Sequence, residues 1–107
     1  MPKSIFCCEY KLKKSTSIED FLNASKKLND EYIKKQKGYI SWKQLNDCDT
    51  WVDLITFETI EDLKSFEANS ETSPNTLALE FYSYINMPSC KIRYYNILRA
   101  YDATSQE

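Results

Sequence analysis

Two widely separated stretches of the chain, Ser17-Ile18-Glu19-Asp20-Phe21 and Thr59-Ile60-Glu61-Asp62-Leu63, open helices with the same chemistry. Each offers a hydroxyl that accepts from a free backbone N–H. Each then places carboxylates in the first turn, where the helix dipole favours negative charge, and apolar residues that turn inward. Strand-like runs precede both, Ile5 to Leu12 and Trp51 to Phe57. The chain is therefore built as two strand-helix units, and the acidic pairs mark a scaffold rather than a site.

The remaining elements follow from periodicity and punctuation. In the first strand Phe6, Cys8, Tyr10 and Leu12 alternate with Cys7, Glu9 and Lys11. Ile18, Phe21, Leu22, Ser25, Leu28, Tyr32 and Ile33 recur at helical spacing and predict a helix from Ile18 to Lys35, with Gly38, the sole glycine, as its C-cap. Tyr39 to Leu45 and Thr50 to Glu58 form a hairpin. With Asp47 and Cys48 at its centre, Gln44 falls opposite Trp51, Trp42 opposite Asp53 and Ile40 opposite Ile55; a one-residue bulge would swap the faces of one strand. The second helix uses Ile60, Leu63 and Phe66 and breaks in the polar stretch 69–74. Pro74 then fits the first turn of a third helix bearing Leu77, Ala78, Phe81, Tyr84 and Ile85, which Pro88 ends. Ile92 to Tyr101 is the last strand. Residues 1–101 make one domain and 102–107 a polar tail.

This order, strand, helix, strand, strand, helix, strand, is α+β: a ferredoxin-like βαββαβ sandwich with helices on one face of a four-stranded antiparallel sheet. Val52 and Leu54 are assigned to the helix side. Trp51, Ile55 and Phe57, with Trp42 and Ile40 beside them, are left on the other. Three aromatic side chains exceed the few hundred Å² of contiguous apolar surface that monomers tolerate. A second copy of the chain is expected to cover that face, giving a homodimer.

Composition removes several functions. Fourteen basic and sixteen acidic side chains are interspersed, with a net charge of -2, so nucleic acid is not an expected partner. No apolar run approaches membrane-spanning length and no signal-peptide core follows Met1, so no membrane partner and a cytoplasmic location are expected. The absence of histidine excludes Cys-His nucleophile pairs and Ser-His-Asp triads. Cys7, Cys8, Cys48 and Cys90 lack paired metal-ligand spacing and read as reduced structural thiols, with Cys48, in a predicted turn, the one most exposed to adventitious oxidation. No metal or cofactor is expected.

Lys37-Gly38-Tyr39-Ile40-Ser41 and the run from Trp51 to Asp62 resemble, as an ordered set, the glycine-aromatic strand start and tryptophan-led third strand of a known family. These are the antibiotic biosynthesis monooxygenase-like (ABM) domains of the dimeric α/β-barrel superfamily. The resemblance spans roughly residues 3 to 101. It implies a dimeric barrel, with activities ranging from cofactor-independent oxygenation of electron-rich aromatic substrates to haem degradation, isomerisation and plain ligand binding. Haem-degrading members rely on a histidine ligand, which this chain lacks. Quinone-forming members place an asparagine and a tryptophan in the cavity. Trp42 or Trp51 matches the second in type, and no asparagine is matched.

The expected site is a cavity between helices and sheet or within the dimer barrel, around Trp42, Trp51 and Asp53 on the face the helices leave uncovered. Glu9, Gln44 and Asp53, with Arg93 or Tyr95, are its inward polar residues. Asp53 among apolar neighbours would be desolvated and raised towards the range useful to a general base. Alternatively it pairs with Arg93, a lysine or a backbone donor at the dimer interface. Two functions follow: a cofactor-independent monooxygenase or related enzyme acting on a small hydrophobic or aromatic metabolite, or a non-catalytic small-ligand-binding or stress-response protein. An Asp53 exposed to solvent, or ion-paired with no adjoining space, removes the enzyme's only base.

Overall fold

In the computed structural model, residues 2–72 and 75–103 are described. β1 (Ser4–Leu12) leads to α1 (Ile18–Glu31) and a 3-10 turn (Ile33–Lys35). β2 (Tyr39–Asp47) and β3 (Thr50–Phe57) follow, then α2 (Ile60–Thr72), α3 (Thr76–Ser83) and β4 (Ile85–Asn96). The four strands form one antiparallel sheet in the order β2-β3-β1-β4. This is the α+β, ferredoxin-like arrangement expected, with the outgoing helix of the second unit split in two.

Both helix starts close as the sequence specifies. The Ser17 hydroxyl accepts from the Asp20 N–H at 3.2 Å, and Thr59 does the same for Asp62 at 3.1 Å. α1 buries Phe21, Ala24, Ser25 and Leu28, the three- and four-residue stripe of an amphipathic helix. Ile18 and Leu22, expected on that stripe, stay exposed. α2 runs through the polar stretch to Thr72, because nothing from Asn69 to Thr72 forbids helical geometry. Asn75 caps α3 by accepting from the Leu77 N–H at 2.7 Å; the predicted role of Pro74 lies outside the described residues, as do tail positions 104–107. α3 ends before Pro88, which sits instead in β4, an edge strand that can do without one backbone donor.

Gly38 is not the C-cap of α1, a position that Tyr32 takes. It lies in the turn entering β2 at φ 78°, and its carbonyl accepts from the Glu58 N–H at 2.8 Å. A Cβ there would stand 2.7 Å from the Cβ of Asp62, in the first turn of α2. Backbone strain and steric conflict thus coincide. Gly38→Ala is expected to destabilise the protein by about 2 kcal/mol or more, read as a fall in the urea midpoint; an unchanged midpoint would show that the turn relaxes freely.

The hairpin register differs from expectation by two residues. Asp47 faces Thr50, the turn centres on Cys48 and Asp49, and Cys48 adopts φ 56°. Gln44 therefore lies opposite Asp53 and Trp42 opposite Ile55. A bulge between Tyr39 and Ser41 displaces Ile40 from the ladder, and a larger irregularity separates the Glu9 and Lys11 pairings with β4.

For β2 and β3 the two faces are the reverse of those assigned from the sequence, while Glu9 and Tyr95 lie on the open face as expected. Trp42, Trp51, Asp53, Ile55 and Phe57 share a face with Phe6, Cys8 and Tyr10, and this is the face the helices cover: Phe21, Leu28, Leu63, Phe66 and Phe81 pack on it. Val52 and Leu54 lie on the open face with Ile5, Cys7, Leu45 and Tyr95. The physical reason is size. The larger aromatic set fills the helix-sheet layer, while smaller aliphatics suffice for the open side.

Candidate functional site

Asp53 occupies the middle of β3, one of the two central strands, and points under the helices. It is only 4% exposed and forms no ion pair among the described residues. Its Oδ1 accepts from the Tyr10 hydroxyl at 2.9 Å. The indole N–H of Trp42 stands close enough to favour the carboxylate, yet its Nε1 is buried without a hydrogen bond of proper geometry. Desolvation outweighs both donors, and the carboxyl is raised from an ordinary 3.8 to about 7. Burial, reinforced by the neighbouring carboxylate, likewise pushes the Tyr10 phenol up, so it remains a donor.

A cavity of about 100 Å³ adjoins this carboxyl. Its floor is the sheet: Phe6, Cys8 and Tyr10 from β1, Trp42 from β2, Asp53 and Ile55 from β3, Cys90 and Ile92 from β4. Phe81 and Tyr82 of α3 and Ile33 of the 3-10 turn form the roof, and Ile85 and Met87 flank it. Tyr82, Met87 and Ile92 are also exposed, which places the mouth between α3 and β4. The Cys8 thiol is pushed up to about 12, chiefly by burial and then by Cys90 and Asp53 beside it. It stays protonated near neutral pH and is no nucleophile. Asp53 is thus the one acid-base group in the cavity poised near neutrality.

A polar chain supports it from behind. Gln44 donates to the Ser25 hydroxyl at 3.0 Å, Ser25 donates to the Phe21 carbonyl at 2.8 Å, and the Gln44 amide approaches the Tyr10 hydroxyl. These bonds fix Tyr10, which in turn fixes Asp53.

The structure brings together Asp53, Trp42 and Gln44 of the residues singled out in the sequence, with Gln44 behind the cavity rather than in its wall. Trp51 is core: it packs on Phe21 at 5.2 Å and lines a different, open groove beside the β1-α1 loop. Glu9 and Tyr95 lie on the open sheet face, paired across strands with Val52, Lys91 and Ile5, and so point away from Asp53; Arg93 does likewise, opposite Cys7. Neither Arg93 nor any lysine neutralises the carboxyl. Tyr10, Cys8, Cys90 and Phe81 were missed as site residues. Alternation along β1 already set Tyr10 and Cys8 apart from Glu9, but only the β1-β3 register, with Cys8 opposite Asp53, brings them to it.

No protein-family model and no curated protein matches the sequence. Solved structures do match its fold. A variant of SnoaB, a cofactor-independent oxygenase from Streptomyces nogalater, superposes with a TM-score of 0.72 at 9% identity, over 94% of this chain and 97% of the other. The monooxygenase ActVA-Orf6 of Streptomyces coelicolor, bound to nanaomycin D, gives 0.70 at 13% identity, over 94% and 91%. A hydroxynitrile lyase from Passiflora edulis gives 0.61 at 17% identity, over 94% and 98%. The chain has the fold of ABM-type structures, and that fold carries both oxygenation and lyase chemistry.

Proposed function

We propose that the protein is a cofactor-independent monooxygenase acting on a small hydrophobic hydroxyarene, with Asp53 as general base. One observation carries this reading: a carboxyl buried to 4% exposure, unpaired with any cation, abuts an apolar cavity with a mouth to solvent. At about 7 it is half ionised near neutral pH and can accept a proton from a weakly acidic substrate. Deprotonation makes the ring electron-rich enough to give electrons to dioxygen directly. One oxygen atom enters a ring carbon; the other leaves as water with the hydrogen that carbon loses and the hydroxyl proton. Phenol plus dioxygen thereby balances to a quinone plus water. Trp42 and Phe81, whose rings meet at 5.6 Å, hold the substrate ring. The likeness to SnoaB and ActVA-Orf6 supports the reaction class at the level of fold.

Oxygen uptake by the purified protein with a panel of hydroxyarenes tests the proposal. Uptake coupled to quinone formation supports it. Ligand binding without any uptake across the panel would leave the non-catalytic binding protein in its place.

The functional unit we propose is a homodimer formed through the open sheet face, in the cytoplasm. Ile5, Val52, Leu54, Leu45 and Tyr95 give that face its apolar surface, Tyr95 being 48% exposed and Leu45 46%. Four free cysteines suit a reducing compartment. Sedimentation is expected to show a dimer at micromolar concentration, and Leu54→Lys a folded monomer, since two buried lysines would face each other near the dyad. A wild-type monomer under those conditions would remove the dimer.

A further inference from the structure

Resting on the reading of Asp53 as the base, we propose that Gln44 is its positioning residue. Anchored on α1, the Gln44 amide fixes the Tyr10 hydroxyl as a donor to the carboxyl and so decides the pH at which the base works. Strand register brings the three side chains together. Gln44 of β2 lies opposite Asp53 of β3, and Tyr10 of β1 lies diagonal to Asp53, across from Trp51, on the same face. The side chains that donate to the carboxyl are Tyr10 and Trp42, and Gln44 is not among them. Its amide reaches past Asp53 instead, to Ser25 of α1 and to the Tyr10 hydroxyl.

Each hydrogen bond in this chain has its direction set by the one before it. The Ser25 hydroxyl has a single proton and donates it to the Phe21 carbonyl, one helical turn back, at 2.8 Å. Towards Gln44 it can then only accept, which turns the NH₂ end of the amide to it at 3.0 Å. The second N–H of that group goes to the Tyr10 oxygen. The Tyr10 proton is left for Asp53 Oδ1, at 2.9 Å. A hydroxyl that accepts while it donates is the stronger donor, and a donor that favours the charged form makes a carboxyl more acidic. The chain thus works against the desolvation that raises Asp53. Cys8 of β1, Cys90 of β4 and Tyr82 of α3 also face the carboxyl, and Cys7 acts on it from the other side of the sheet; burial raises all four, as it does Tyr10, so they stay neutral near pH 7. β2 and α1 contribute Trp42, Gln44 and Ser25, which carry no charge, and among the described residues no cation pairs with Asp53.

Ionisation of Asp53 is read from its side-chain carboxyl carbon resonance in carbon-13-labelled protein titrated across neutral pH. In Tyr10→Phe the midpoint is expected to rise by about one pH unit, the ordinary worth of a hydrogen bond to a charged acceptor. Gln44→Met keeps the length of the side chain and removes the amide, and should raise the midpoint by about half a unit. Because Gln44 acts through Tyr10, the double variant should titrate with Tyr10→Phe, whereas a general loosening of the site would add to it. A wild-type or lowered midpoint in Gln44→Met, or additive shifts in the double variant, would each overturn the assignment. Gln44 sits on an edge strand and is only partly buried, so its variant decides even where Tyr10→Phe does not fold. Midpoints that move in a protein without oxygen uptake overturn the oxygenase reading and leave this one standing; uptake with unmoved midpoints does the reverse.

Discussion

Asp53→Asn is expected to abolish turnover and, at the same time, to make the protein more stable above neutral pH. Loss of a positioned general base lowers the rate by about 10²- to 10⁴-fold. The stability effect has its own sign. Because burial raises the folded-state carboxyl from 3.8 to about 7, the folded protein holds a proton that the unfolded chain releases. Stability from this group is complete below about pH 4 and is lost as pH rises through 7, by something on the order of 4 kcal/mol. Asparagine keeps an acceptor for the Tyr10 hydroxyl and carries no charge. The variant should therefore match the wild type near pH 4 and exceed it at pH 8 in urea denaturation, while wild-type kcat/KM climbs to a plateau above pH 7. A difference between the two proteins that does not vary with pH would show that Asp53 is not held protonated, and retained turnover would remove it from the mechanism.

Phe21→Ala carries the other large effect. Its ring is fully buried and meets Tyr10 at 6.1 Å, Trp51 at 5.2 Å, Phe81 at 5.2 Å and Tyr84 at 6.2 Å. Truncation removes apolar burial and leaves a void that rings held by β1, β3 and the end of α3 cannot jointly collapse into. A cost of about 3–5 kcal/mol is expected, a large fraction of the roughly 5–15 kcal/mol that holds a domain of this size folded. Phe81 also roofs the cavity, so ligand affinity should fall with stability. Denaturant unfolding reads the first and phenol titration the second; a loss under 1 kcal/mol would mean that the aromatic cluster repacks around the gap.

The scaffold was legible in the sequence because its signals are local. Ser17 and Thr59 are hydroxyls before acidic turns, and Phe21, Leu28 and Phe66 repeat at helical spacing. Asp53 as a desolvated carboxyl was legible too, from its position inside Trp51-Val52-Asp53-Leu54-Ile55. Which face of β3 meets the helices was not, since both alternating sets are apolar and periodicity cannot rank Trp51, Ile55 and Phe57 against Val52 and Leu54. Glu9 and Tyr95 do lie on the open face expected for them; through that ambiguity it was Trp42, Gln44, Trp51 and Asp53 that were set beside them on the wrong side of the sheet. Tyr10 was out of reach for another reason. Its bond to Asp53 joins positions 43 apart in the chain, and only the pairing of β1 with β3 makes them neighbours.

The irregularities of the sheet bear on how this chain meets copies of itself. Its exposed borders are β2 and β4, and each departs from a regular ladder: β2 at the Tyr39-Ser41 bulge, β4 at the shift that contains Pro88. Bulges and proline on a border strand spoil the template that would let another chain add a strand and propagate a fibre. A protein so rich in β-branched and aromatic strand residues is thereby steered away from edge-to-edge growth, which has no natural end; the face-to-face dimer proposed above, by contrast, stops at two.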